Sequence, residues 1–122
     1  MTENKRLEGF ILWQKAMDLV VDVYKLTLQL PPEERFGLSS QIKRCVVSIP
    51  SNIAEGKRRS SAKEFRYFLY VALGSASELE TQLEISRRLG FIQNDEYLGV
   101  NTSLQEVMKI MNSIVTYLKT NN

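Results

Sequence analysis

Apolar residues recur at three- and four-residue steps along almost the whole chain. Three short stretches interrupt them: Pro31-Pro32, Gly56 to Ser61, and Gly90 to Asn94. This spacing commits the chain to helices, because a half-buried strand alternates every second residue. No segment sustains that alternation. Breaks this short leave no room for crossover connections, so successive helices must be antiparallel neighbours. The expected architecture is all-α: an antiparallel up-down-up-down four-helix bundle, one domain spanning residues 1–122.

The first helix is expected from Phe10 to Leu30, ended by the two prolines. Its polar residues (Gln14, Lys15, Asp18, Asp22, Lys25, Gln29) form only a narrow stripe, and nearly everything else is apolar. A helix apolar over most of its circumference needs burial on more than one side, so association with further copies is expected. The second helix should begin between Glu33 and Leu38, with Ile42, Cys45, Val46, Ile49 and Ile53 on its core stripe and Gly56 as terminator. Pro50 lies inside it, removes a backbone donor and should bend it. Ser61 and Glu64 make a capping box for a third helix that ends near Leu89, before Gly90. Asn94 is the expected N-cap of the fourth, whose stripe runs from Tyr97 to Leu118. Residues Lys119 to Asn122 are expected to fray.

Chemistry is constrained mainly by what the chain lacks. Histidine is absent, and Cys45 is the one cysteine. The commonest general base, the Ser-His and Cys-His dyads and the Glu-x-x-His di-iron site are therefore excluded. No catalytic residue, metal or cofactor is assigned, and the reading is that of a non-enzyme. A lone cysteine forms no internal disulfide and suits a reducing compartment. The charged N-terminus lacks a signal-peptide core, and no apolar run reaches a membrane span. The expected location is cytoplasmic, with no membrane partner.

Charge is uneven. Residues 41–70 carry seven cations and two acids, whereas residues 1–40, 71–90 and 91–122 each come to −1. Five of those cations, Lys57, Arg58, Arg59, Lys63 and Arg66, fall at the second turn and form the candidate phosphate-binding cluster. Tyr67 and Tyr70 follow one and two turns later, placed to stack on bases. A charge run at a turn also serves simply as a solvated surface. Hairpin arithmetic brings Arg44 opposite Glu78, a partly buried pair aided by Ser48 or Ser75. Asn52 and Glu55 belong to the same structural polar network, with Arg59 or Lys63 as partner for Glu55. Gly74 and its small neighbours permit a close helix approach, inside the bundle or between subunits.

The stretch "RCVVSIPSNIAEGKRRSS" and the following "KEFRYFLYVALGSASELETQLEISRRLG" carry a specific resemblance. S-I-P-S-N-I-A-E-G (Ser48 to Gly56), Arg59 and A-x-G-S-x-x-E-L (Ala72 to Leu79) are its markers. The chain resembles bacterial four-helix-bundle proteins encoded within intervening sequences of large-subunit ribosomal RNA genes, strongly from about Phe10 to Leu89. It is distantly similar to accessory proteins of diversity-generating retroelements, which are thought to bind nucleic acid. The resemblance implies a homo-oligomer, commonly a pentamer, with no established enzymatic activity. Two positions depart from the pattern: Leu73 stands where a cation is common, and Lys57-Arg58 where an aromatic and a glycine are. The reading is a homo-oligomeric binding or scaffold protein, holding RNA or DNA phosphates at its basic turn. The alternative is a structural oligomer that docks an unidentified protein partner.

Overall fold

The computed structural model describes residues 1–121. It contains four long helices, α1 (Glu3–Thr27), α2 (Leu38–Lys57), α3 (Ala62–Arg88) and α4 (Asn94–Thr120), with a 3-10 turn at Pro32–Glu34. α1 packs on α2 and α4, and α3 packs on α2 and α4, so the four close into a bundle with α1 diagonal to α3 and α2 diagonal to α4. Side chains meet in the order of antiparallel neighbours: Tyr24 with Lys43 but Phe10 with Lys57, and Glu84 with Tyr97 but Arg66 with Leu118. The core takes one apolar stripe from each helix. Ile42, Val46, Ile49 and Ile53 of α2 face Leu69, Ala72, Ala76, Leu79 and Leu83 of α3, all fully or almost fully buried.

The stripes fall where periodicity puts them, but several helix ends do not. α1 starts seven residues before Phe10, because the Thr2 hydroxyl accepts from the Lys5 amide at 3.2 Å. It ends at Thr27, and i−3 bonds tighten residues 28–30 into a turn before Pro31. Glu34 does not open α2. It sits in the 3-10 turn and its carboxylate accepts from the Leu38 amide at 3.2 Å, capping α2 from outside. Gln93 rather than Asn94 is the N-cap of α4, and its amide is held by the Gln29 side chain at 3.1 Å. Lys119 and Thr120 remain helical; Asn122 lies outside the described residues. Gly90 adopts φ +76, the left-handed conformation that ends α3.

α2 continues without interruption through Pro50, which is itself buried. Position 50 offers no amide to the Val46 carbonyl. In the next turn side chains reinforce the ladder: Ser51 donates to the Val47 carbonyl at 2.9 Å and Asn52 to the Ser48 carbonyl at 2.8 Å.

The polar network between α2 and α3 differs from the expected one. Ser48 and Ser75 share a hydrogen bond at 2.8 Å, and Asn52 donates to the Ser48 hydroxyl at 2.9 Å. Arg44 and Glu78, however, form no ion pair, and both are exposed. Glu78 instead accepts from the Cys45 thiol at 3.2 Å. One residue along a helix is a 100° rotation, so Cys45, not Arg44, faces α3. Burial, and then the Glu78 carboxylate beside it, push the Cys45 thiol from 9.0 up to about 11, with Gln82 opposing. The neutral thiol is thus favoured in the fold. Its contribution to stability is present below pH 9 and is lost as pH rises through about 11. At neutral pH the native protein should hold about a hundredfold less thiolate than the unfolded chain. Alkylation by a maleimide should slow by at least that ratio relative to protein in urea. Equal rates would mean the thiol is open to solvent.

Candidate nucleic-acid interface

The basic turn is built by a close approach of two helices. A Cβ at Gly56 would stand 2.8 Å from Phe65 Cδ1, 3.0 Å from Phe68 Cβ and 3.3 Å from the Phe65 carbonyl oxygen. Gly56 therefore does not terminate α2, which runs one residue further to Lys57. It is the point where the last turn of α2 closes on the first turn of α3. Ser61 caps α3 as expected, accepting from the Glu64 amide at 3.1 Å. The closure sets Lys57, Arg58 and Arg59 beside Lys63 and Arg66.

The five cations share one end of the bundle but not one role. Arg59 pairs with Glu55 and lies over the Phe68 ring, 4.8 Å from its centroid. Arg66 reaches across to α4 and donates to the Leu118 carbonyl at 3.3 Å, where a cation suits the helix C-terminus. Lys57 lies 5.9 Å from the centroid of Phe10. Arg58 and Lys63 are exposed and make no ion pair among the described residues. Arg58, Lys63 and Lys57, none of them in an ion pair among the described residues, are the groups free to meet a ligand.

More cations join them from elements distant in sequence. Lys5 sits 5.3 Å over the Tyr117 ring, and Lys119 sits 6.0 Å over Tyr70. Counting the start of α1, the α2–α3 turn and the end of α4, this end carries eight cations (Lys5, Arg6, Lys57, Arg58, Arg59, Lys63, Arg66, Lys119) against four acids (Glu3, Glu8, Glu55, Glu64). A cavity of about 180 Å³ opens there between Met1, Lys57, Arg59, Ser61 and Tyr117. Sequence position alone hides Lys5, Arg6 and Lys119, since only the bundle brings them to the turn. Tyr67 is 62% exposed and Tyr70 46% exposed, both on α3 near this end.

The opposite end is tied up in a carboxylate cluster. Glu84 accepts from Arg87 at 2.6 Å, Arg88 at 2.7 Å and the Tyr97 hydroxyl at 2.9 Å. These donors, Arg87 foremost, hold the Glu84 carboxyl down at about 2. Burial, then Glu84, raises Tyr97.

Residues 8–113 match the sequence profile of the 23S rRNA-intervening sequence protein family. The chain belongs to this family. The match extends beyond the motif-rich α2–α3 hairpin and takes in most of α4. Among solved structures, the chain is similar to the crystal structure of a protein of unknown function from the S23 ribosomal protein family of Bacteroides thetaiotaomicron VPI-5482. The two are 28% identical with a TM-score of 0.81, over 89% of this chain and 98% of that one. No curated protein matches the chain. None of the described helices is long and apolar enough to cross a membrane.

Proposed function

We propose that this member of the 23S rRNA-intervening sequence protein family is a non-enzymatic homo-oligomer whose basic end binds nucleic-acid phosphates. The observation that carries the reading is the gathering of eight cations against four acids at one end, with Arg58 and Lys63 outside any ion pair among the described residues. The N-terminus of α3 opens toward the same turn, and its first amides favour an anion there. The ribosomal RNA context of the family name and the S23 ribosomal protein name of the solved relative agree with a nucleic-acid setting.

Association rests on α1. Phe10, Ile11, Met17 and Val21 remain exposed on it in the single chain. Beside them a nearly apolar groove of about 360 Å³ runs between α1 and α2, lined by Trp13, Met17, Val20, Val47, Pro50 and Ala54. Gly74 faces outward on α3 with nothing within 4 Å of a Cβ, so the close approach it allows is to another chain. The pentameric number comes from family resemblance. In a ring with subunits pointing the same way, each copy adds its basic end to one face.

Binding should be tolerant of sequence, because phosphate contacts position without specifying. The test compares wild type with the Lys57→Glu, Arg58→Glu, Lys63→Glu variant on labelled single-stranded RNA and duplex DNA. At low salt the variant should lose at least about a hundredfold in affinity. Its log–log salt slope should shrink by about two to three units, near 0.7 to 0.9 per lost contact. Absence of wild-type binding at low salt, or equal binding by the folded variant, rejects the reading. A structural oligomer docking a protein partner then takes its place.

A further inference from the structure

A second cationic site lies far from the basic turn, between the end of α1, the 3-10 turn and the start of α2. Its cavity is about 670 Å³ and is lined in part by Tyr24, Arg35, Phe36, Ser40, Lys43 and Arg44. It is open to solvent rather than enclosed, so a ligand there would keep one side exposed. All three charged residues on its wall are cations, and its eight lining residues include no carboxylate. None of the three cations forms an ion pair among the described residues. Across α1 the contrast is plain: the cleft toward α4 holds Asp18, Asp22 and Glu106 around one Lys15, which pairs with Glu106. The charged residues lining the groove on the α2 side of α1 are thus all cations, while those lining the cleft on the α4 side are mostly acids. Glu34, next to Arg35 in sequence, is not among the lining residues, and its carboxylate is engaged by the Leu38 amide.

The aromatic groups at this site have no evident part in the core. Phe36 is 88% exposed and Tyr24 41% exposed. Arg35 lies 5.3 Å from the Phe36 centroid and Lys43 lies 5.2 Å from that of Tyr24. Each ring therefore has a cation over it while retaining open surface. Exposed rings interleaved with unpaired cations are what a nucleoside phosphate requires: a flat partner for the base and positive charge for the phosphates. A base inside a duplex presents no free face, so an unstacked base is needed.

We propose that this cavity is a nucleotide site, in which Tyr24 and Phe36 take the base of a single-stranded nucleic acid and Arg35, Lys43 and Arg44 take its flanking phosphates. The choice of a strand rests on the nucleic-acid reading above; the pocket chemistry is shared by a free nucleotide. Lys43 and Lys57 are fourteen residues apart on α2, about 21 Å along the helix, so the site is separate from the basic turn.

The test uses the full chain and three probes: a labelled single-stranded RNA of about a dozen nucleotides, the same strand with abasic positions, and a fluorescent methylanthraniloyl ADP. Phe36→Ala alters a side chain with almost no packing, and circular dichroism checks its fold. It should weaken the base-bearing strand about tenfold and leave the abasic strand unchanged. Lys43→Glu should weaken both strands. If Phe36→Ala has no effect while the Lys57, Arg58, Lys63 reversal abolishes binding, the pocket is overturned and the basic end stands. If wild type ignores the strands but binds the ADP probe in a Phe36-dependent way, the pocket stands for free nucleotides and the basic-end reading falls. If no probe binds, both fall. If Phe36→Ala instead lowers the oligomeric mass, the ring is a subunit contact and the site is rejected.

Discussion

Gly56→Val should destabilise the protein by about 3 kcal/mol, lowering its melting temperature by roughly 10 °C. Even the first added carbon has nowhere to go. It meets Phe65 Cδ1 at 2.8 Å, Phe68 Cβ at 3.0 Å and the Phe65 carbonyl oxygen at 3.3 Å. The Phe65 ring is buried and its escape is blocked by the core; the other two atoms belong to the α3 backbone or hang directly from it. Valine has a better helix propensity than glycine by a few tenths of a kcal/mol, far too little to offset the clash. The only relief is to move α2 and α3 apart at the turn, which also spreads Lys57 and Arg58 from Lys63. Gly99→Ala is the matched control. It is exposed within α4 with nothing within 4 Å of a Cβ, so alanine should stabilise the fold by about 1 kcal/mol. Opposite signs at two helical glycines are the expected result in thermal unfolding. A Gly56→Val protein melting with wild type would mean the helices do not close there.

The sequence makes the bundle legible because its stripes are long and regular. Ile42 to Ile53, Leu69 to Leu83 and Val100 to Leu118 are buried as the period requires. Local signals also hold where the partner lies within the same turn, as with the Ser61 hydroxyl and the Glu64 amide. They fail where the partner is distant. Glu34 caps α2 from the 3-10 turn, and Gln29 reaches from the end of α1 to the Gln93 amide, so neither helix start is marked by its own first residue. Hairpin arithmetic identifies the right level for Ser48 with Ser75 and for Glu78, but it gives no rotation about the axis. Cys45 therefore takes the place expected of Arg44. The candidate site follows the same division. Its five clustered cations stand out along the chain, while the diversion of Arg66 to Leu118 and the arrival of Lys5 and Lys119 are tertiary facts. The Tyr24–Phe36 pocket gave no signal, since its residues are scattered over three elements and Tyr24 reads as one more apolar position.

Leu79→Ala should cost about 2–5 kcal/mol. Leu79 is 0% exposed on α3, one turn beyond the Ser75 of the Ser48–Ser75 bond and next to the Glu78 of the Cys45–Glu78 contact. Removing its branched end forfeits burial and leaves a cavity walled by α2 and α3, which are already held by those polar contacts and cannot fully collapse. Val21 on α1 offers the opposite case: an aliphatic side chain 52% exposed. Val21→Asp removes little buried surface within the chain, so its monomer stability should change by less than about 1 kcal/mol. Its effect should fall on association, because a carboxylate in an apolar subunit contact must be desolvated. Urea unfolding and light scattering on the same samples separate the two. Leu79→Ala should lower the unfolding midpoint with folded oligomers persisting at low urea. Val21→Asp should keep the fold while the mass falls toward the 14.0 kDa of one chain. Because association adds to apparent stability by mass action, midpoints are compared at one protein concentration. If Val21→Asp unfolds the chain at a concentration where wild type is monomeric, that face of α1 belongs to the core. If it leaves both mass and midpoint unchanged, the exposed apolar face of α1 is not the contact between copies.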